Sequence, residues 1–290
     1  MAKQPIAPSN NPVALRGDYT RAGPDYTVDQ EWPGYSAAEH AVWRTLYTRQ
    51  ISLIERYAAP EFIAGTRALN ASAEHIPRMD ETNRVLERAT GWQVVAVPGL
   101  IPEEQFFAHL AARRFPVTRW IRRVDELDYL AEPDIFHDFF GHVPLLTNPM
   151  FARFMQAYGE AGPKAIDAGA LPMLARLYWY MVEFGLIATP AGLRVYGSGI
   201  LSSKGETVYS IADPRPHRIA FDLERVMRTA YLIDDFQRSY FVIDSFEQLF
   251  RAGYDTDFAP LYARYSATPA IPAGVVLPTD ALRSAAQSPT

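Results

Sequence analysis

Residues 132–146 read EPDIFHDFFGHVPLL, which places two histidines among phenylalanines and acids. Pro133 is typical of a helix start, so the stretch is predicted to be helical. In an α-helix, His137 and His142 lie about 140° apart around the axis. Each imidazole must therefore lean inward if the two are to bind one ion.

Small and acidic residues lie near these histidines. Gly141 has no side chain, so an ion or ligand can approach the backbone there. Asp134 and Asp138 are placed to accept the second ring N–H of a metal-bound imidazole. The alternative is an ordinary polar helix face, with hydrogen-bonded histidines and acids favoured by the helix dipole. The spacing alone does not decide between these interpretations.

A second stretch, residues 174–187, reads LARLYWYMVEFGLI and contains only two charges, Arg176 and Glu183. A lone buried carboxylate costs several kcal/mol unless it is paired or coordinated. Arg176 lies two helical turns away, about 11 Å, which is long for a direct ion pair. Three interpretations stay open: this ion pair, a partner elsewhere in the fold, or a metal.

Two histidines and one glutamate make two kinds of metal site conceivable. One is the facial triad of non-haem Fe(II) oxygenases, which leaves coordination positions open. The other is a His₂Glu zinc hydrolase, in which Asp138 would serve as general base. The chain has no cysteine, which excludes disulfides, thiolate metal sites and a cysteine nucleophile. Aromatic surroundings favour iron.

Composition predicts a cytoplasmic protein with a substantial core. The chain has 290 residues, 48% of them hydrophobic and 13% aromatic, and a net charge of −5. The negative charge argues against nucleic acid or an anionic membrane as partner. No apolar run is long enough to span a bilayer, and the N-terminus has no apolar stretch of the signal-peptide type.

The pattern along the chain predicts one mostly α domain with minor β structure. We expect an N-terminal arm at 1–30, a catalytic domain at 31–264 and a C-terminal tail at 265–290. Helices are predicted after Ser36 and Pro102, and short strands at WQVVAVPGL and SYFVI. The stretch LRVYGSGILSSKGETVYSI (193–211) is predicted as a hairpin or irregular β segment.

Three blocks carry a resemblance to a known family. EPDIFHDFFGHVPLL, RLYWYMVEFGLI and YGSGILSSKGE resemble the signature blocks of the pterin-dependent aromatic amino acid hydroxylases, in the right order and spacing. The short bacterial branch that hydroxylates phenylalanine is the most similar. The resemblance extends over roughly residues 35–260 and implies that family's catalytic-domain fold.

The resemblance assigns a role to individual positions. The implied iron ligands are His137, His142 and Glu183. The positions that match the pterin pocket are Gly99, Ile101, Phe106, Asp138 and Tyr178. The positions that match the substrate pocket are Arg122, Trp179 and Ser202, with Glu206 supporting them. A guanidinium such as that of Arg122 can bind a carboxylate through two hydrogen bonds.

The activity implied by the resemblance is hydroxylation of L-phenylalanine to L-tyrosine with O₂, Fe(II) and a tetrahydropterin such as tetrahydrobiopterin. The sequence shows no heptad-rich helix after Gly253, so a monomer is expected. Tryptophan or tyrosine as the preferred substrate is the alternative within the family. A zinc hydrolase is the remote alternative outside it.

Overall fold

The computed structural model describes residues 15–128, 130, 132–233 and 235–284. Residues 1–14 of the predicted arm and residues 285–290 of the predicted tail lie outside the described residues. Within the described part, no helix combines the length and the apolar character needed to cross a bilayer.

Helices dominate the described part, which confirms the prediction of a mostly α chain with minor β structure. The α-helices are α1 (Ala37–Tyr57), α2 (Pro60–Ala68), α3 (Met79–Ala89), α4 (Glu103–Ala111), α5 (Pro149–Asp167), α6 (Leu171–Tyr178), α7 (Ser198–Leu201), α8 (Lys204–Ala212), α9 (Leu223–Met227), α10 (Phe246–Tyr254) and α11 (Ala259–Tyr265). The strands are β1 (Gln93–Val97), β2 (Arg114–Thr118), β3 (Leu186–Thr189), β4 (Gly192–Val195), β5 (His217–Ala220) and β6 (Ser239–Ile243). Two segments are π-helical, Phe136–His142 and Trp179–Glu183.

The strands form two separate sheets. β1 and β2 pair in parallel, so the loops that follow them, beginning at Pro98 and Arg119, leave the same edge. The indole N–H of Trp120 donates to the carbonyl of Pro98 at 3.0 Å and ties the two loops together. The second sheet has the order β4-β3-β6-β5, with β3 and β4 antiparallel and the other pairs parallel.

Local signals in the sequence account for several element boundaries. Ser36 and Glu39 form a capping box at the start of α1, as the prediction of a helix after Ser36 requires. Pro102 is the N-cap of α4, and strand β6 covers the predicted SYFVI segment. Because Pro lacks a backbone N–H, a helix start accommodates it without losing a hydrogen bond.

The prediction for 193–211 is only partly right. Only the first residues of this segment lie in a strand, β4, which forms a hairpin with the preceding strand β3, and most of the rest folds into the helices α7 and α8. Ser203 caps α8 by accepting from the backbone N–H of Glu206 at 3.3 Å. The buried residues Ile200, Thr207 and Ile211 recur at helical spacing, which the glycines nearby obscure.

The described residues before Ala37 pack along the body. The hydroxyl of Tyr19 donates to the carbonyl of Leu100 at 2.8 Å, and the backbone N–H of Val28 donates to the carbonyl of Ala96 at 2.9 Å. The contact of Tyr19 with Leu100 lies on the loop that follows β1. Gly17 packs against Pro98 in the same loop. These residues therefore form part of the wall beside that loop.

The end of the described chain also contacts the body. Arg225 pairs with Asp280 at 2.9 Å, and both side chains are buried. The backbone N–H of Ile271 donates to the carbonyl of Arg228 at 2.7 Å. Residues 271–280 thereby cover α9.

The packing of α4 on α5 requires glycine at position 159. A Cβ on Gly159 would lie 2.4 Å from the backbone nitrogen of Ala111 and 2.7 Å from the Cβ of Leu110. α4 also carries Phe106 on its buried face. The close approach of these helices thus sets where Phe106 lies.

We expect Gly159→Ala to lower the free energy of unfolding by about 1–3 kcal/mol, because the added methyl group overpacks the helix contact. Urea unfolding of the metal-free protein, followed by circular dichroism, measures this. Gly34→Ala is the control, since a Cβ at Gly34 meets no atom within 4 Å. Equal stability of the two variants would contradict the packing argument.

Candidate metal centre

His137 and His142 lie on the π-helical segment Phe136–His142. A π-helix bonds residue i to i+5, so residues five apart come close together on one side. The imidazole centroids are 5.2 Å apart and the rings are nearly perpendicular, at 84°. The expected offset of about 140° is therefore wrong, because it assumed an α-helix.

Glu183 is the last residue of the second π-helical segment, Trp179–Glu183. The backbone N–H of Phe184 donates to the carbonyl of Trp179 at 2.9 Å, an i→i+5 bond. The proposed ion pair with Arg176 is wrong, since Arg176 donates to the carbonyl of Met227 at 3.1 Å. The partners of the buried carboxylate come from elsewhere in the fold.

The three side chains converge on one point. Nε2 of His142 lies 3.2 Å from Oε1 of Glu183, and Nε2 of His137 lies 3.6 Å from Oε2. One potential ligand atom from each residue lies within 4.8 Å of the others. The residues are 7%, 3% and 2% exposed for His137, His142 and Glu183. The carboxylate therefore lies in the interior, with an imidazole near each of its two oxygens.

Hydrogen bonds fix the tautomer of His137. Its Nδ1 lies 2.9 Å from the hydroxyl of Ser202, and that hydroxyl donates its proton to the carbonyl of Ser198 at 2.8 Å. Since a serine hydroxyl has one proton, Ser202 accepts from Nδ1–H, and Nε2 of His137 carries the lone pair. This lone pair faces an oxygen of Glu183, and a cation between two such acceptors would be bound by both.

Charge states at neutral pH suit metal binding. Burial alone would raise the pKa of Glu183, but His142 and His137, with hydrogen bonds from His142 and Ser198, lower it to about 2. Burial lowers the pKa of His137 to about 4, although the charge of Glu183 opposes this. At pH 7 the site thus presents an ionised carboxylate beside a neutral imidazole. These donors fit a divalent iron or zinc ion.

The acids next to the histidines have other partners than expected. Asp134 accepts from the guanidinium of Arg122 and from the backbone N–H of His137, at 2.8 and 3.0 Å. Asp138 accepts from the backbone N–H of Thr118 at 2.8 Å. Neither aspartate accepts from an imidazole, so the prediction that they accept the second ring N–H of a metal-bound histidine is wrong for both. Among the described residues, no partner reaches Nδ1 of His142.

A pocket of about 50 Å³ opens on one side of the three ligands. Its lining includes the positions predicted for the pterin, which are Gly99, Ile101, Phe106, Asp138 and Tyr178. Phe106 and Tyr178 meet edge to face at 5.6 Å. A bicyclic ring system is larger than this volume, so we expect a wall of the pocket to move when such a ring binds.

One wall of this pocket is the loop after β1. A Cβ on Gly99 would lie 2.6 Å from Oε1 of Glu132 and 2.9 Å from the hydroxyl of Tyr19, so the loop needs glycine there. The backbone N–H of Leu100 donates to Oε1 of Glu132 at 3.4 Å. Contacts with Tyr19 and Glu132 therefore restrain the wall that a bicyclic ligand would displace.

A larger cavity of about 690 Å³ lies on the other side of His137. Its lining includes the positions predicted for the substrate, which are Arg122, Trp179, Ser202 and Glu206. His137 lines both the cavity and the pocket, so the two spaces meet at the metal centre.

Arg122 is held rigidly at the cavity. Its Nε and Nη2 atoms both donate to Asp134 at 2.8 Å, and its Nη1 atom reaches the carbonyl of Leu127 at 3.4 Å. A guanidinium has five N–H groups, so one on Nη1 and one on Nη2 remain. The ion pair thus presents a fixed pair of donors to an anion.

Sequence reasoning missed Ser198, whose hydroxyl lies 2.9 Å from Oε2 of Glu183. The flanking glycines were the available signal. A Cβ on Gly197 would lie 2.4 Å from the carbonyl oxygen of Glu183, and one on Gly199 would lie 3.2 Å from its Oε2. Glycine on both sides of a residue marks a close approach of two backbone segments.

Comparison with known proteins shows that the family resemblance covers most of the chain. Residues 14–255 match the family described as biopterin-dependent aromatic amino acid hydroxylase. A phenylalanine-4-hydroxylase of Ralstonia nicotianae is 59% identical over 262 residues, covering 90% of this chain and 83% of that protein. The phenylalanine-4-hydroxylase of Chromobacterium violaceum is 56% identical over 261 residues, with 90% and 88% covered. The cobalt-bound crystal structure of the Chromobacterium protein has a TM-score of 0.88 and 56% identity, covering 89% of this chain and 93% of that chain.

Glu206 is another buried acid, and it lines the larger cavity. Its Oε1 accepts from the hydroxyl of Tyr240 at 2.7 Å and from the backbone N–H of Gln237 at 3.1 Å. Burial nevertheless raises the pKa of Glu206 to about 7. The folded protein therefore keeps a proton on Glu206 that the unfolded chain releases near pH 4.5.

We expect Glu206→Gln to change how stability depends on pH. The raised pKa means that Glu206 costs stability progressively between about pH 4.5 and pH 7, as the unfolded chain loses its proton first. The neutral amide removes this cost. Between pH 4.5 and pH 8, the free energy of unfolding of the variant should therefore rise relative to that of the parent by up to roughly 3 kcal/mol. Urea unfolding of both metal-free proteins at these pH values measures the gain. A constant difference would contradict the raised pKa.

Proposed function

The chain belongs to the biopterin-dependent aromatic amino acid hydroxylases, and on this premise we propose that it converts L-phenylalanine and O₂ to L-tyrosine. Fe(II) and a tetrahydropterin, such as tetrahydrobiopterin, serve as cofactors. The observation that carries the proposal is the convergence of His137, His142 and Glu183 where the two ligand spaces meet. Iron and reduced pterin together supply the electrons that activate O₂ for insertion of one oxygen atom into the aromatic ring.

The three side chains hold the iron. His137 and His142 would offer their Nε2 atoms, and Glu183 would offer a carboxylate oxygen that balances part of the charge. Three protein ligands leave coordination positions open for exchangeable ligands. The low exposure of all three keeps bulk water away from the reacting groups.

The larger cavity holds the amino acid. Arg122 binds the substrate carboxylate through the N–H groups that Asp134 does not use. Trp179 and Phe184, whose ring centroids are 5.1 Å apart, line the cavity as an apolar surface for the aromatic ring. Fixing the carboxylate at one end directs the ring towards His137 and the metal, which is the positioning that the reaction needs.

The smaller pocket holds the pterin after its wall has moved. Phe106 and Tyr178 supply aromatic surfaces for the ring system, while Gly99 and Ile101 offer backbone groups to its polar edge. Asp138 lines this pocket together with the metal ligands, and we infer that its carboxylate takes part in binding the pterin. The substrate and the pterin thus approach the metal from different sides.

The test of this function is an assay of the Fe(II)-loaded protein with a tetrahydropterin and phenylalanine, tyrosine or tryptophan. We expect tyrosine to form from phenylalanine in step with pterin oxidation, and phenylalanine to be the preferred substrate. Preference for tryptophan or tyrosine would reassign the substrate within the family. Pterin oxidation without any hydroxylated product, or turnover with Zn(II) in place of iron, would contradict the proposal.

We also propose that the enzyme acts as a monomer in the cytoplasm. The absence of cysteine and the net charge of −5 agree with a reducing, aqueous compartment. Light scattering of the purified protein tests the monomer, and fractionation of cells tests the compartment.

Glu183→Ala should abolish coupled turnover and weaken Fe(II) binding by more than about 100-fold, since even residues behind metal ligands change affinity by 10- to 100-fold. Iron content after desalting and a chelator competition measure this, and circular dichroism checks that the fold is kept. Glu206→Gln is the control, because it alters a buried acid that is not a proposed ligand. Full iron content in the Glu183 variant would remove Glu183 from the ligand set.

Arg122→Lys should raise the KM for phenylalanine by about 10- to 100-fold, because lysine cannot bind a carboxylate with two parallel hydrogen bonds. The KM for the pterin should change little. Lysine keeps a positive charge beside Asp134, which an alanine would leave unpaired in the interior.

Arg225→Lys is the matched control for this variant. Arg225 forms a second buried pair with an aspartate, Asp280, and neither residue lines the larger cavity. The Arg225→Lys variant should lose about as much stability as Arg122→Lys, without any effect on the KM for phenylalanine. An unchanged KM in the Arg122 variant would place the substrate carboxylate elsewhere.

A further inference from the structure

Ser198 is the polar side chain outside the three ligands that contacts Glu183 most directly. Its hydroxyl lies 2.9 Å from Oε2 of Glu183 and 3.2 Å from the carbonyl of Val182. Ser198 is buried, so water does not compete for either contact. A serine hydroxyl donates one proton, and a hydrogen bond to a carboxylate is shorter and stronger than one to a neutral carbonyl. The proton therefore goes to Glu183.

The position of Ser198 is fixed from both sides. It begins α7, which packs against the first π-helical segment at Gly141, where a Cβ would lie 2.9 Å from the carbonyl oxygen of Ser198. The same carbonyl accepts from Ser202, which in turn holds Nδ1 of His137. One short helix thus contacts the carboxylate of Glu183 and the imidazole of His137.

Oε2 of Glu183 needs such a contact. Oε1 faces Nε2 of His142 at 3.2 Å, whereas Oε2 is 3.6 Å from Nε2 of His137, which carries a lone pair. The terminal torsion of a glutamate is broad and nearly two-fold, so the carboxylate plane is not set by the side chain itself. A directed donor at Oε2 sets that plane.

We propose that Ser198 is a positioning residue that donates to Oε2 of Glu183 and thereby fixes which carboxylate oxygen is presented to the metal. The inference rests on the metal-binding part of the proposed function. The hydroxyl group of Ser198 binds neither substrate nor metal, yet it controls the orientation of the ligand Glu183. Without the hydroxyl, the carboxylate turns more freely and the coordination geometry is less well defined.

Ser198→Ala tests this with Co(II) as a spectroscopic probe, as well as with Fe(II). We expect the metal affinity, measured by chelator competition, to fall by about 10-fold. The Co(II) d–d absorption bands should shift or broaden because the coordination geometry changes.

Ser239→Ala is the matched control. Ser239 is equally buried, and among the described residues no partner reaches its hydroxyl. Its alanine variant should keep the parent's affinity and Co(II) spectrum. Parental affinity and spectrum in Ser198→Ala, or in Ser198→Gly if the alanine variant does not fold, would overturn the proposal.

Failure of this inference is distinguishable from failure of the proposed function. Metal affinity and the Co(II) spectrum judge Ser198 without substrate or pterin. If the parent protein binds metal but forms no tyrosine, the proposed activity is overturned. The metal affinity and the Co(II) spectrum then still decide the role of Ser198. If the parent protein binds neither Fe(II) nor Co(II), both the proposed function and the role of Ser198 are overturned.

Discussion

The buried contact between the carboxylate of Glu183 and two imidazoles constrains the rest of the structure. An ionised carboxylate in an apolar interior is stable only if nearby groups replace the water it has lost. The imidazole of His142 and the hydroxyl of Ser198 do this here. Both π-helical segments and the helix α7 must stay in register for these groups to meet. The apolar core around them serves this arrangement as much as it serves stability.

A single aspartate connects the metal centre to the larger cavity. Asp134 binds both donors of the guanidinium of Arg122 and also the backbone N–H of His137. The proposed anion-binding donors of Arg122 and the proposed metal-binding ring of His137 are therefore held by one carboxylate. Under the proposed function, this carboxylate fixes the distance between the bound end of the substrate and the metal ion.

Sequence reasoning found the elements with local signals and missed those that depend on tertiary contact. The cap of α1, the start of α4 and strand β6 follow from nearby residues. The π-helical turn at His137 and His142 does not, because a five-residue spacing has no meaning until the hydrogen-bond pattern is known. The pairing of Arg122 with Asp134 also escaped, since loops from different elements bring them together. The resemblance supplied the positions around the two ligand spaces, which no periodicity in the chain marks.

Under the proposed function, the contact of Tyr19 with Leu100 gives the N-terminal segment a part in cofactor entry. The hydroxyl of Tyr19 and the carboxylate of Glu132 hold the loop that we expect a bicyclic ring to displace, although neither residue was predicted to line the pocket. A weaker hold at either contact would then speed the entry of the pterin without any change in the residues that line the pocket. A comparison of pocket residues alone would not reveal such a difference in rate.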